Sequence, residues 1–195
     1  MIWFTADPHF FHANIVGYCR RPFGSVSGMN DELIKRWNAS VRKRDTIYVL
    51  GDFSWNVSSD TLKDLVNSLH GKIILVPSVD HDRHILNKLI GLVMIEQPLL
   101  YLNLGSERVV LCHYPLSSWS GAHYGVYMLH GHCHGSLAPG FFPNRCDVGM
   151  DAWDYRPVTL EEVKARTEAL QIKKAKGEPN SEVCLPLSNG CMEGS

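Results

Sequence analysis

The amino-acid sequence predicts an α/β (α+β) fold with two layers of β-structure and helices covering a partly parallel sheet. Three observations carry this expectation. Short apolar, β-prone runs at residues 2–5, 46–50 and 72–76 alternate with stretches of helical apolar spacing, an order that favours crossover connections and parallel pairing. Further β-prone runs at residues 99–104, 108–113, 126–130 and 146–148 follow with little helix between them, which suggests a more antiparallel second half. At 195 residues, 45% hydrophobic and 20% charged, the chain suits one domain with a sizeable core.

The elements follow in order. Residues 2–5 form a buried strand that stops at the polar stretch Asp7-Pro8-His9. Asn30 or Asp31 caps a helix running to about Val41, with Leu33, Ile34 and Trp37 on one apolar face. Thr46-Ile47-Tyr48-Val49-Leu50 is a second buried strand, ended by Gly51-Asp52. Ser58 or Ser59 caps the next helix, whose inward stripe is Leu62, Leu65, Val66 and Leu69, and Gly71 breaks it before the third strand at 72–76. A short helix is expected at 84–90, and Gly105-Ser106-Glu107 joins two strands as a hairpin. Thr159 opens a last helix to about Ala169, with Glu161 and Glu162 in its first turn. The domain is placed at residues 1–170, followed by a polar, flexible C-terminal tail at 171–195.

Bulk properties narrow the function. A formal net charge of -1 gives no strong signal for nucleic-acid binding through a broad basic surface. No apolar run approaches the ~20 residues needed to span a bilayer. The six Cys include no CxxC pair and the chain starts MIWFTAD, so reduced thiols in a cytoplasmic protein are expected and a structural zinc site is not. Ten His in this length is unusual, because His serves chiefly acid/base work and metal ligation.

Four of the expected strands end in residues that bind hard or borderline metals: Asp7 and His9, then Asp52, then Asp80 to Asp82, then His113. A fifth leads through His130 into Gly131-His132-Cys133-His134. Each motif alone has an ordinary explanation as a turn or a hydrogen-bonded core histidine. Together they place many ligand types at one end of successive strands, which points to a metal site.

These residues resemble the calcineurin-like metallophosphoesterases, whose pattern is Asp-x-His, Gly-Asp, Gly-Asn-His-Asp, a lone His, then Gly-His-x-His. Here the corresponding stretches are Asp7-Pro8-His9, Gly51-Asp52, Val79-Asp80-His81-Asp82, His113 and Gly131-His132-Cys133-His134, with Asp147 to Trp153 similar to a segment of the small bacterial and phage-type members. The resemblance implies a four-layer α-β-β-α sandwich of two mixed sheets flanked by helices. It also implies a phosphoester hydrolase with two divalent metal ions, manganese first, with iron, zinc, magnesium or nickel as alternatives. Asp7, His9 and His134 would hold one ion, Asp80, His113 and His132 the other, and Asp52 would bridge them. A hydroxide shared by the ions would attack phosphorus. His81 would contact the phosphoryl group or protonate the leaving oxygen, with Asp82 orienting its ring.

One departure stands out: Asp80 occupies the usual Asn position and Val79 the usual Gly, which adds negative charge beside an anionic substrate. His12, Asn14, Arg21 and Arg83 are the candidate substrate-binding residues. A diester is favoured over a monoester because no dense cation cluster is evident, and a nucleotide or cyclic nucleotide is a candidate substrate. The competing expectation is a non-catalytic scaffold of the same fold that binds a partner protein.

Overall fold

A computed structural model of the chain describes residues 1–137 and 143–176. Its first sheet contains β1 (Ile2–Thr5), β2 (Thr46–Leu50), β3 (Lys72–Val76) and β4 (Met94–Ile95), in that order and all parallel. The second contains β5 (Leu99–Leu104), β6 (Glu107–Cys112), β7 (Tyr127–His130) and β8 (Arg145–Asp147). Only β5 and β6 pair antiparallel there, while β6, β7 and β8 run parallel. The expectation of an antiparallel second half therefore holds for the hairpin alone. The long connection from β6 to β7 returns the chain to the start of the sheet and so makes a parallel neighbour.

The alternation of side chains along β2 divides the core. Tyr48 and Leu50 face Val109, Leu111 and Leu129 of the second sheet, together with Phe4, Ile74 and Val76, and form the packed centre of the sandwich. Ile47 and Val49 face the other way, onto Leu33, Trp37, Leu62 and Leu65 of the covering helices. These helices are α1 (Ala13–Tyr18), α2 (Val26–Ser40), α3 (Ser59–Ser68) and α4 (Leu86–Leu89). The outer face of the second sheet, Val110, Cys112 and Met128, is covered by Trp119 and Ala122 from the β6–β7 connection. The arrangement is thus two sheets flanked by helical segments.

Local chemistry sets the helix ends. Ser58 Oγ accepts the Thr61 N–H as the expected cap of α3. In α2 the cap is Ser25, five residues before Asn30, because its Oγ accepts the Gly28 N–H; Asn30 instead turns its amide oxygen to the Phe11 N–H. α5 (Leu160–Ala175) opens at Thr159, whose hydroxyl and N–H exchange hydrogen bonds with Glu162. It continues six residues past Ala169, so the boundary at 170 falls inside a helix; the expected tail from 177 onward lies outside the described residues, as do Cys184 and Cys191. No helix among the described residues is long and apolar enough to cross a membrane.

Candidate metal centre

Strands β1, β2 and β3 of the first sheet deliver their carboxyl ends to one edge, and the loops leaving β1 and β2 are tied together. The Asp7 N–H donates to Gly51 O, the His9 N–H to Asp52 O and the Phe10 N–H to Phe53 O, which continues the β1–β2 pairing beyond both strands. In the second sheet the Gly131 N–H donates to His113 O, carrying the β6–β7 pairing in the same way. Asp7, His9, Asp52, His132 and His134 all sit in the left-handed region, with φ of 54°, 50°, 55°, 69° and 47°. Non-glycine residues avoid that region at a penalty of order 1–3 kcal/mol each, and such strain gathers where side-chain aim matters more than backbone ease.

Ligand atoms of Asp7, His9 and His134 lie within 4.8 Å of one another, the set expected from the sequence for one ion. Asp7, Asp52 and His113 form a second such group, and His9, Asp52 and His81 a third. His9 Nε2 is 3.3 Å from Asp52 Oδ2, His113 Nε2 is 3.6 Å from Asp52 Oδ1, and His81 Nδ1 is 3.5 Å from Asp52 Oδ2. Asp52 therefore stands between His9, His81 and His113.

The buried rings are oriented from behind. His113 Nδ1 donates to Leu50 O at 2.9 Å and His134 Nδ1 to Asp151 Oδ2 at 2.7 Å, which leaves Nε2 of each ring for the cluster. His9 Nδ1 lies 3.3 Å from His12 Nδ1. Glycines make room: a Cβ on Gly51 would meet His113 Nδ1 at 2.5 Å, and one on Gly131 would meet Asp7 Oδ2 at 2.5 Å. Burial, helped by the neighbouring His134 and Arg21, holds His9 well below the ordinary imidazole range and so favours the neutral, ligating form. Burial pushes the Asp7 carboxyl up to about 7 against the pull of His134 and His113. Burial also opposes charge on His134, yet Asp7 and the hydrogen bond to Asp151 carry it well above its usual value.

Three ligand atoms in this cluster, His9 Nε2, Asp52 Oδ1 and His81 Nδ1, are buried without a hydrogen-bond partner among the described residues. Leaving a buried polar atom unpaired costs about 1–3 kcal/mol, so three converging on one place fit a cation as their partner. The mixed carboxylate and imidazole donors suit a divalent ion of the manganese, iron, magnesium or zinc type.

The remaining candidates are placed differently. Asp80 is exposed and its Oδ2 accepts the Tyr114 hydroxyl at 2.7 Å; neither Asp80 nor His132 enters a three-residue ligand group. His132 is exposed too, its ring 5.2 Å from His113 and 4.9 Å from Tyr114. Arg21 is not a surface phosphate clamp. It is buried, and its guanidinium N–H groups go to Asp151, Asp7 O, Pro8 O and Met29 Sδ, leaving no donor for a substrate. Asp82 does not orient His81: its carboxylate is buried and accepts the N–H groups of Asp52, Phe53 and Ser78, fixing the turn that holds Asp52. His12 is buried beside His9, whereas Asn14 and Arg83 are exposed, Arg83 donating to His84.

Four contributors have no obvious motif: Asp151, which links Arg21 to His134; Tyr114, which holds Asp80; Cys19, which joins His134 and Asp151 in a fourth ligand group; and Trp55, stacked on His12. Asp151 lies in the 147–153 segment singled out by the resemblance, which was the available signal.

Comparison with known proteins adds the following. An uncharacterized protein of Methanocaldococcus jannaschii is 31% identical over 166 residues, 82% of this chain and 87% of that protein. The chain belongs to that protein's family. The gene 66 protein of Mycobacterium phage D29 is 26% identical, with 84% of this chain and 94% of that protein covered. A protein of unknown function from Aquifex aeolicus shares the fold at a TM-score of 0.66 with 21% identity, covering 85% of this chain and 98% of its own. A phosphoesterase from Escherichia coli aligns at a TM-score of only 0.38 with 16% identity over 76% of this chain, too remote a likeness to bear on function. No protein-family model matches the chain.

Proposed function

We propose that this chain is a metal-dependent phosphoester hydrolase of the calcineurin-like metallophosphoesterase kind, with a preference for diesters. The observation that carries the reading is the convergence of Asp7, His9, Asp52, His81, His113 and His134 on one buried cluster with unpaired ligand atoms. Asp7, His9 and His134 would hold one divalent ion, manganese first among the candidates. Asp52 and His113 would hold a second, completed by His132 and Asp80 from the exposed side. Bound there, the two ions would supply an activated water and positive charge for the phosphoryl oxygens.

The chain's own groups divide the remaining work. Asp52 reaches toward His9, His81 and His113 and would stand between the two ions. His81, partly exposed on the rim, is placed to donate to a phosphoryl oxygen or to the leaving oxygen. His12 lies beside it, the rings 6.1 Å apart, where it can donate to the same substrate. Arg21 and Asp151 act at a distance by keeping His134 in one orientation.

The test is hydrolysis of bis(p-nitrophenyl) phosphate after chelation and manganese return, read beside a thermal-shift assay. Manganese is expected to restore turnover and raise Tm, and Asp52→Asn to lower turnover by roughly 100-fold or more while weakening the shift. The exposure of Asp80 favours a second reading, a metal-binding scaffold of the same fold. A metal-induced Tm shift without turnover, unaffected by His81→Ala, would establish the scaffold instead.

A further inference from the structure

The chain has five Trp, and four of them are ordinary structural residues. Trp3 Nε1 donates to Asp45, Trp37 Nε1 to His70 O, Trp119 Nε1 to Val126 O and Trp153 Nε1 to Asp147 O. Trp55 differs on each count. It is 37% exposed and its indole N–H has no partner among the described residues. A large apolar ring with a free donor, left at the surface beside a cluster of ligand groups, calls for a reason.

Its surroundings supply one. One face of the indole is covered by His12, the rings 4.9 Å apart and 21° from parallel, and the His81 ring lies 5.0 Å away at 56°. Tyr18, 60% exposed, sets its ring edge-on to His12 at 6.5 Å. The shelf is also held firmly. The Trp55 N–H donates to Phe10 O, and Ser54 forms a bridge to Phe10 and gives its hydroxyl to the same carbonyl. Asn56 then turns the chain away in the left-handed region at φ 44°. The backbone therefore fixes an aromatic plate next to His81, one edge of which reaches Asp52.

We propose that Trp55 is a specificity-determining residue that stacks a nucleobase, so that the substrates are phosphoesters of nucleosides or short nucleotides. This rests on the hydrolase reading for the phosphoryl end of the ligand. The occupant must be planar and large enough to cover an indole, and must carry a phosphoryl group within reach of a neighbouring site. A nucleotide meets both requirements, and its ring nitrogens and carbonyls are acceptors for the free indole N–H. A long polynucleotide is the lesser candidate, because a formal net charge of -1 gives no strong signal for a broad basic surface that would follow the phosphates.

The experiment has a binding arm and a turnover arm. In the binding arm, the chelated protein is titrated calorimetrically with adenosine monophosphate and with ribose 5-phosphate. Binding of the nucleotide alone is expected, lost in Trp55→Leu and partly kept in Trp55→Phe. In the turnover arm, manganese-loaded protein is given the p-nitrophenyl ester of thymidine 5′-monophosphate and methyl p-nitrophenyl phosphate, which share a leaving group. Trp55→Leu is expected to lower kcat/KM for the nucleoside ester about tenfold or more beyond any change on the methyl ester, so that the preference for the nucleoside is lost. Equal loss on both esters, or hydrolysis by the unaltered protein with no preference for the nucleoside, overturns the shelf while leaving the hydrolase intact. Nucleotide-specific binding lost with Trp55 but without turnover on either ester supports the shelf and removes the hydrolase. Should Trp55→Leu fold poorly by circular dichroism, Trp55→Phe decides the question through the same ratio of esters.

Discussion

Asp7, His9 and His134 form a largely buried group whose neighbours are themselves held, whereas Asp80 and His132 are exposed and both lie against Tyr114. The buried half is braced through a chain of contacts: Arg21 ties the carbonyls of Asp7 and Pro8 to Asp151, and Asp151 fixes His134. In the exposed half the His132 N–H donates to the Asp7 carboxylate, but among the described residues its own side chains make one hydrogen bond, Tyr114 to Asp80, open to water. The difference teaches that one ligand set is preorganised by the fold, while the other is assembled from side chains free to turn. The buried half should then govern stability and the exposed half should govern how the site responds to metal and substrate.

The sharpest way to break this contrast is Arg21→Met. The change takes the guanidinium from the buried Asp151 carboxylate and leaves it to His134, and removing one partner of a buried pair costs about 3–5 kcal/mol. Urea unfolding measures it directly, and a loss below about 1 kcal/mol would mean the bracing is nominal. Gly131→Ala comes next. Its Cβ would meet Ala6 Cβ and Asp7 Oδ2, each at 2.5 Å, and overpacking of this kind costs about 1–3 kcal/mol. Displacing Asp7 should also shrink the manganese-induced rise in Tm, a readout that separates damage to the ligand set from damage to packing.

A control away from both halves calibrates these losses. Thr159→Ala removes the hydroxyl that caps α5 and should cost about 1 kcal/mol while leaving the metal-induced shift unchanged. The same cap carries a pH signature. Burial opposes charge on Glu162, but its bonds with Arg156 and Thr159 hold its carboxyl below the usual range. Its contribution is therefore present above the unfolded value near 4.5 and is lost as pH falls through the lower folded value. Unfolding curves of Glu162→Gln and the unaltered protein should converge in acid.

The contrast between the halves also explains what the sequence revealed. The strands β2, β3 and β5 were legible to the residue because each is a short β-prone run bounded by turn residues. β4 was not, since Met94 and Ile95 are two exposed residues with no pattern to read. α1 escaped notice for a related reason: it has six residues and no side-chain cap. The parallel pairing of β6 with β7 was hidden because direction depends on the path of a connection and not on the strands it joins. At the site, ligand chemistry was visible as residue types at strand ends, and the trio Asp7, His9 and His134 follows from it. The roles of Arg21 and Asp151 were not visible, because they meet across 130 residues of chain and depend on which way each side chain turns. Asp82 shows the same limit, since its place beside His81 in sequence says nothing about a carboxylate that turns back to three backbone N–H groups.

The smallest stability effect belongs to the exposed half, where Asp80→Ala should change unfolding by no more than about 0.5 kcal/mol. Asp80 is exposed, and its hydrogen bond to Tyr114 is one that water can replace. Tyr114→Phe should be similarly mild, the ring keeping its edge contacts with His113 and His132 at 4.7 and 4.9 Å. The two variants part company in the response to metal. With Tyr114→Phe the Asp80 carboxylate is still present and free to turn toward His113 and His132, so the manganese concentration for half-maximal turnover should hold or fall. With Asp80→Ala a ligand is gone and that concentration should rise. If instead Asp80→Ala proves as damaging to unfolding as Arg21→Met, the exposed half is as rigid as the buried one and the division between them fails.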